Sequence, residues 1–286
     1  SHNLRSSYLN SPAELDSINP LRLNSLVLSD NVRLNNRFNT LLVLDYSLPR
    51  GNIAYSGLQS SIDKDITVYK NNYSLSGDDN RNFDTGQTPN KISISTQTLK
   101  MEYELLPNLN LDTFFSLSKS ANGDTSKIYQ FRERYAYTEN VMNKSLVNIQ
   151  DFTVNDTSGT WFDNYNYYES ETLEEEASYG GNIEYEFKLN KQLSGKFKIG
   201  YKSRNKTREY DYDYEYSTFT YVAVQDKRDT TYQHFDWLNN IAPGTIYTPY
   251  SPFMDKEYSD EGFLNGQYSL GPFADLDKMN QIFRFF

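Results

Sequence analysis

The stretch Asn182-Ile183-Glu184-Tyr185-Glu186-Phe187-Lys188-Leu189, followed by Asn190-Lys191-Gln192 and then Leu193-Ser194-Gly195-Lys196-Phe197-Lys198-Ile199-Gly200-Tyr201, decides the fold class. Apolar and charged residues alternate with period two before the short loop. Ile183, Tyr185, Phe187 and Leu189 therefore share one side of an extended strand, and Asn182, Glu184, Glu186 and Lys188 share the other. If Leu189 faces Leu193 across the loop, Glu186 falls opposite Lys196 and Glu184 opposite Lys198. The same register sets Tyr185 against Phe197 and Ile183 against Ile199. Both faces are then complementary at once, which is the condition that fixes an antiparallel register.

Two earlier segments repeat the pattern. Phe38, Thr40, Leu42, Leu44, Tyr46 and Leu48 form one face, with Asn39, Asp45 and Ser47 on the other beside Leu41 and Val43. Pro49, Arg50 and Gly51 interrupt, and 52–61 returns. Farther on, Leu99, Met101, Tyr103 and Leu105 alternate with Lys100, Glu102 and Glu104. After Leu106, Pro107 and Asn108 the apolar face resumes at Leu109, Leu111, Thr113, Phe115 and Leu117. Here the register puts Glu102 opposite Asp112, so this face must be wet or borrow a cation from elsewhere. Each unit carries a Tyr on its apolar face near the turn (Tyr46, Tyr103, Tyr185), at the depth of an interfacial aromatic girdle.

The expected organisation is three β-hairpins at 37–62, 92–118 and 179–204. Residues 1–36 read as a loop with a short helix opening at Ser11-Pro12-Ala13-Glu14. Residues 119–178 and 217–286 read as long loops, the second holding a helix marked by Leu276, Met279, Phe283 and Phe286. Tight turns at one end and long connections at the other are the asymmetry of outer-membrane barrels. The fold class expected is all-β: a segment of an antiparallel up-and-down transmembrane β-barrel with short periplasmic turns and long extracellular loops. Six strands fall short of the eight at which single-chain barrels begin, so a piece of a larger barrel is the simplest expectation.

Composition excludes several classes. Among 286 residues, 28 basic and 38 acidic side chains give a net charge of -10, which disfavours nucleic acid, whose non-specific affinity is supplied by cations. Mean hydropathy is -0.75, yet 15% of residues are aromatic, with 25 Tyr and 17 Phe, unlike a disordered chain. There is no Cys, and the histidines are His2 and His234, so no disulfide, thiolate centre or histidine-based metal site is expected. No cofactor motif and no enzyme signature are found. No apolar run reaches about 18 residues, which excludes a helical span and leaves a strand-built one open.

Several stretches resemble the TonB-dependent outer-membrane receptors of Gram-negative bacteria: Ser17-Ile18-Asn19-Pro20-Leu21-Arg22-Leu23-Asn24, Leu44-Asp45-Tyr46-Ser47-Leu48-Pro49, Tyr179-Gly180-Gly181-Asn182, and Gly200-Tyr201-Lys202-Ser203-Arg204-Asn205-Lys206-Thr207-Arg208. The resemblance implies the cell outer membrane and a barrel of about 22 strands around a plug. It also implies uptake of an iron chelate, cobalamin or a glycan with energy from the TonB complex. Outer-membrane lipid, the plug, a small nutrient ligand and a surface lipoprotein are the implied partners. No TonB box and no plug are seen in this chain.

Three groups of residues are candidates for function. Glu184, Glu186, Lys196, Lys198, Lys202, Arg204 and Arg208 would line the lumen, either as a wall contacting plug or ligand or as a cross-strand ladder holding register. Tyr210, Tyr212, Tyr214 and Tyr216 alternate with Asp211, Asp213 and Glu215, giving either a ligand-stacking row or cation site, or a girdle passing into a solvated acidic rim. Trp161, Tyr165, Tyr167, Tyr168 and Trp237, expected in outer loops, would either stack on a ligand or pack the loops onto themselves. The competing reading is a soluble, surface-exposed β-rich adhesin or glycan-binding module. There Leu42, Leu44, Tyr103, Tyr185 and Phe197 would meet a second sheet in a packed core instead of lipid.

Overall fold

A computed structural model describes residues 2–10, 21–75, 79–141, 144–190, 193–220 and 224–285. Most of it is strand: β1 (His2–Asn10), β2 (Leu21–Leu48), β3 (Gly51–Ser74), β4 (Arg81–Gln87), β5 (Asn90–Leu106), β6 (Leu109–Glu133), β7 (Thr160–Lys188) and β8 (Ser194–Thr218). All pairings are antiparallel, and the strands follow chain order except that β4 and β5 each pair with both β3 and β6, giving an up-and-down, barrel-like meander. β4 and β5 lie end to end, both filling the gap between β3 and β6. Pro89 interrupts them because it has no N–H to give the ladder. Thr88 N–H to Ile66 O (2.8 Å) and Thr125 N–H to Pro89 O (3.0 Å) carry the pairing across the break. Among the described residues no ladder joins β1 to β8.

The three expected hairpins are present; the first and third are only the turn-proximal parts of much longer ones, and in the second β6 runs on past β5 to pair with β4. Residues 1–36 are not a loop: β1 and the first part of β2 fill much of that span, while the helix expected from Ser11 lies outside the described residues. Residues 119–178 are not one loop either, since β6 runs on to Glu133 and β7 begins at Thr160. These extensions are rich in Asn, Ser, Asp and Tyr, a composition that reads as loop. They are strand because they are held by pairing to neighbouring strands, in the interior of the sheet on both sides, as Thr172 is with Asn122 and Tyr210. A 25-residue strand such as β8 is roughly 85 Å long, whereas a bilayer-spanning strand needs only about 9–11 residues.

The turns match their sequences. Pro49-Arg50 joins Leu48 to Gly51, where the backbone passes so close to β5 that an added Cβ would lie 2.1 Å from Glu102 O. Asn108 takes a positive φ of 75°, a conformation Asn tolerates better than most residues. Leu189 and Leu193 close the third turn, with Leu189 N–H bonding Leu193 O at 2.9 Å.

The register does not shift along β2–β3 or β7–β8, so side-chain parity carries each sheet face the whole length of those strands. One face has two zones. Far from the turns, Leu26, Leu28, Tyr73, Phe83, Phe131 and Phe162 are buried beneath a lobe formed by residues 219–220 and 224–285, with α1 (Gln225–His234), α2 (Leu276–Phe285) and short 3-10 turns. Phe131 is the hub, with ring centroids 4.7 Å from Tyr250, 5.1 Å from Phe162 and 5.4 Å from Phe253. The helix expected near the C-terminus is α2, and it buries Met279 and Ile282. Near the turns the same face is bare.

Candidate functional site

The bare zone consists of cross-strand rows read off the register. Leu109, Tyr185 and Phe197 make the first; Leu48, Tyr103, Leu111, Ile183 and Ile199 the second; Tyr46, Ile53, Met101 and Tyr201 the third. Leu44, Tyr55, Leu99, Phe115 and Tyr179 make the fourth, and Leu42, Leu117 and Ala177 the fifth. Many are half exposed or more, including Leu44 at 55%, Phe197 at 61% and Tyr46 at 67%. The next row, Thr40, Gln59, Ser95, Lys119, Glu175 and Thr207, is polar. From Leu109 to Leu117 is about 27 Å along the strand; at a tilt of 35–45° that is roughly 20 Å of height, close to the ~25 Å apolar band of an outer-membrane barrel.

The opposite face is polar and charged across β5–β8. Lys196 Nζ lies 2.8 Å from Glu184 and 2.6 Å from Glu186, Arg204 lies 2.5 Å from Glu176, and Lys206 lies 2.7 Å from Glu174. The register of β7–β8 is the one read from the sequence, with Glu184 opposite Lys198 and Tyr185 opposite Phe197. Glu102 does face Asp112, and the borrowed cation is Lys198, whose Nζ sits 3.7 Å from both Asp112 and Glu184. Removing it with Lys198→Ala leaves three carboxylates on adjoining strands with less compensation. The expected result is a lower thermal midpoint at low salt that recovers towards wild type as salt is raised to about 1 M, where screening reaches only ~3 Å.

Above the apolar band, Lys206 pulls Glu174 below the ordinary carboxylate value of 4.5, and Lys119 does the same to Glu175 through a 2.8 Å contact. A carboxyl with a depressed folded pKa adds stability that is complete above the unfolded value and fades as pH falls through the folded one. The thermal midpoint is therefore expected to fall as pH drops below 4.5, and a Glu174→Gln, Glu175→Gln variant should show a shallower fall.

Tyr210, Tyr212, Tyr214 and Tyr216 lie on this polar face, in line with Arg204 and Arg208, while Asp211, Asp213 and Glu215 fall on the other face. The acidic row is exposed, as the solvated-rim reading expected, with Glu215 accepting from the Tyr165 hydroxyl at 2.7 Å; the tyrosines, however, lie on the polar face and do not continue the apolar one. The rings form a ladder. Tyr210 and Tyr212 stack at 6.5 Å and Tyr168 stacks on Tyr212 at 6.4 Å, all still more than a third exposed.

Beside the ladder runs a hydrogen-bonded relay that crosses the sheet from β3 to β8. Lys70 Nζ bonds Asp84 (2.9 Å) and Gln130 Nε2 donates to Asp84 (2.8 Å). Asn164 then donates to Gln130 (3.0 Å), Asn166 to Asn164 (3.1 Å), and Tyr214 O–H to Asn166 (3.0 Å). Sequence reading missed the relay, since its members are ordinary polar residues in stretches that look like loops. Their shared parity across the ladder is the signal that exposes it.

The five aromatics expected in outer loops are dispersed. Trp161 and Tyr165 are strand residues of β7, 9% and 6% exposed. Trp161 packs edge-on against Tyr247 at 5.1 Å, and Tyr165 against Phe283 at 5.5 Å. Tyr167 also rests on Phe283, at 5.3 Å, and its hydroxyl, hydrogen-bonded to Glu169, is pushed up to about 12. Tyr168 belongs to the polar-face ladder. Trp237 is in the lobe, 5.2 Å edge-on from Phe253. Trp161 and Tyr165 are thus core packing, and of the five only Tyr168 joins the charged wall.

No protein-family model matches this chain, and no curated protein sequence matches it.

Proposed function

We propose that the chain forms part of the wall of an outer-membrane β-barrel receptor of the TonB-dependent type. Its apolar band meets acyl chains, and its charged, tyrosine-lined face borders the path of a small nutrient ligand, an iron chelate, cobalamin or a glycan. In that reading the wall binds and passes ligand and carries out no catalysis. Its partners are outer-membrane lipid, a plug, the TonB complex and a surface lipoprotein. The observation that carries the reading is the segregation of faces across β5–β8 over five successive rows: bare Leu, Ile, Phe and Tyr on one side, and on the other Glu, Lys, Arg, Ser and Thr, interrupted by Phe114; in β2 that second side also carries Leu41 and Val43. A soluble adhesin or glycan-binding module would place a second layer over Leu44, Tyr185 and Phe197, yet these are 55%, 48% and 61% exposed. An uncovered apolar surface of this extent marks a membrane or protein contact.

The test is solubility and insertion. The refolded chain is expected to require detergent and to float with lipid vesicles in a density gradient. A chain that stays monomeric in buffer without detergent overturns the reading.

A further inference from the structure

Leu41 and Val43 belong to a diagonal strip of aliphatic side chains on the face that is charged elsewhere. The strip continues through Leu58 and Ile62 on β3 and through Ile92 and Ile94 on β5. The register sets Leu41 opposite Leu58 and Ile62 opposite Ile92, with Ile94 one row nearer the turns than Ile92. Leu41, Val43, Leu58 and Ile94 are 65%, 53%, 40% and 39% exposed. From Val43 to the row of Ile62 is about 20 Å along the strand, and no row holds more than two of these side chains. Thr96 and Thr98 border the strip on one side. On the other, among the described residues, no strand pairs with this part of β2.

Positive charge collects at one end of the strip. Arg37 shares the row of Ile62 and Ile92, Lys64 lies in the next row, and Arg33 lies in the row after that, opposite Ile66. Among the described residues none of these three cations is in an ion pair. Asp63 and Asp65, beside Lys64 in the chain, point to the opposite face. The carboxylate on the row of Lys64 is Asp124, two strands away, and it accepts from Asn90 and Asn122. At the turn end Asp45 and Lys100 share a row and offset each other. Arg33 and Arg37 are exposed and Lys64 is half-buried, so all three head groups are within reach of a ligand.

We infer that this strip binds a single-chain amphipathic anion of the fatty-acid type, its head group held by Arg37, Lys64 and Arg33 and its acyl chain laid toward Val43. The inference rests on the reading of this face as the aqueous one and gives that face a ligand class. The length of the strip, about 20 Å, accommodates an acyl chain, which occupies about 15 Å in one leaflet of a ~30 Å hydrocarbon core. Guanidinium forks match carboxylate oxygens, and the Lys and Arg stems lie readily along apolar surface. A compact polar nutrient would leave the aliphatic rows wet, and a neutral apolar molecule would leave the three cations without a counter-charge. A second protein surface needs about 800 Å² on each partner, wider than a strip of one or two side chains per row, and a two-chain phospholipid needs a second strip.

The experiment uses the full chain in phosphatidylcholine nanodiscs with a diazirine-bearing palmitate, the adducts being mapped by mass spectrometry. Adducts at Leu41, Leu58 and Ile94 are expected to saturate and to be displaced by unlabelled palmitate at least about tenfold better than by hexadecanol. Adducts at Leu44 and Phe115, on the opposite face, should rise in proportion to reagent and resist displacement, as contact with bulk lipid does. The double variant Arg37→Glu, Lys64→Glu should raise the half-saturating concentration at least about tenfold, and Leu58→Ser should raise it as well. Lys256→Glu, an equal change of sign per site on the exposed surface of the lobe, should leave it unchanged. Adducts on the strip that do not saturate, hexadecanol competing as well as palmitate, or labelling untouched by the double variant overturns the inference. So does an unlabelled strip, which leaves these rows to an apolar surface of the plug. Vesicle flotation depends on none of these outcomes, and a chain that stays in buffer can still be labelled there, so the two proposals fail separately.

Discussion

Arg81→Ala is expected to destabilise the chain by about 3–5 kcal/mol, the cost of leaving one member of a buried ion pair unpaired. Glu133 is 0% exposed and accepts from Arg81 Nε at 2.8 Å and from the Asp156 N–H at 2.6 Å. Burial already pushes its carboxyl above the ordinary value against the pull of Arg81. Without the guanidinium it must take up a proton or draw in water. Arg81 also lies 4.6 Å over the Phe83 ring and 5.6 Å over Tyr73, so its removal loosens the joint between sheet and lobe as well. The double change Arg81→Met, Glu133→Leu should recover most of the loss, because an apolar pair of similar volume removes the desolvation cost together with the attraction. Denaturant unfolding in detergent measures both. A loss under about 1 kcal/mol for Arg81→Ala would show that water reaches the pair.

Phe115→Arg has the second large effect, and its size depends on what the bare face touches. Phe115 stands in the fourth apolar row, 47% exposed, between Leu99 and Tyr179. Against acyl chains an Arg near the middle of the band costs about 2–4 kcal/mol, falling to about 0–1 near the rim. Leu117→Arg, one row farther from the turn, should therefore cost less. In water the same half-exposed position would tolerate the change within about 0.5 kcal/mol. Ser116→Arg, on the polar face beside Ser178, should be nearly neutral. Unfolding titrations in lipid vesicles give the ordering Phe115→Arg, Leu117→Arg, Ser116→Arg that the membrane reading requires.

What sequence makes legible here is local pairing. The turn at 190–192 is short and both faces of its hairpin are chemically marked, so the register could be written down, and even the excess negative charge at Glu102 and Asp112 pointed to a missing cation. Lys198 supplies it from two strands away. Parity alone would also have placed Tyr210 on the same face as Arg208, since nothing interrupts β8 between them. The distal parts of the long strands were harder. Asn and Asp are disfavoured in strands, and those segments hold together through neighbours far along the chain. The core was hidden for the same reason: Phe131 meets Phe253 and Arg81 meets Glu133 through long-range closure, with no motif at either end. Trp161 and Tyr165 were misplaced because aromatics in a polar stretch read as exposed, whereas the lobe and the neighbouring strands cover them.

The central claim is that the bare rows face lipid while the alternate residues face an aqueous interior. The chain has no Cys, so single-cysteine probes can be placed without background. Spin labels at Leu99→Cys, Phe115→Cys and Tyr179→Cys sample one row, and labels at Thr98→Cys, Ser116→Cys and Ser178→Cys sample the matching row of the other face. In vesicles the first three should be relaxed by oxygen dissolved in the acyl region and shielded from a water-soluble nickel reagent, and the second three should show the reverse. Equal access of the nickel reagent to both sets would contradict the account.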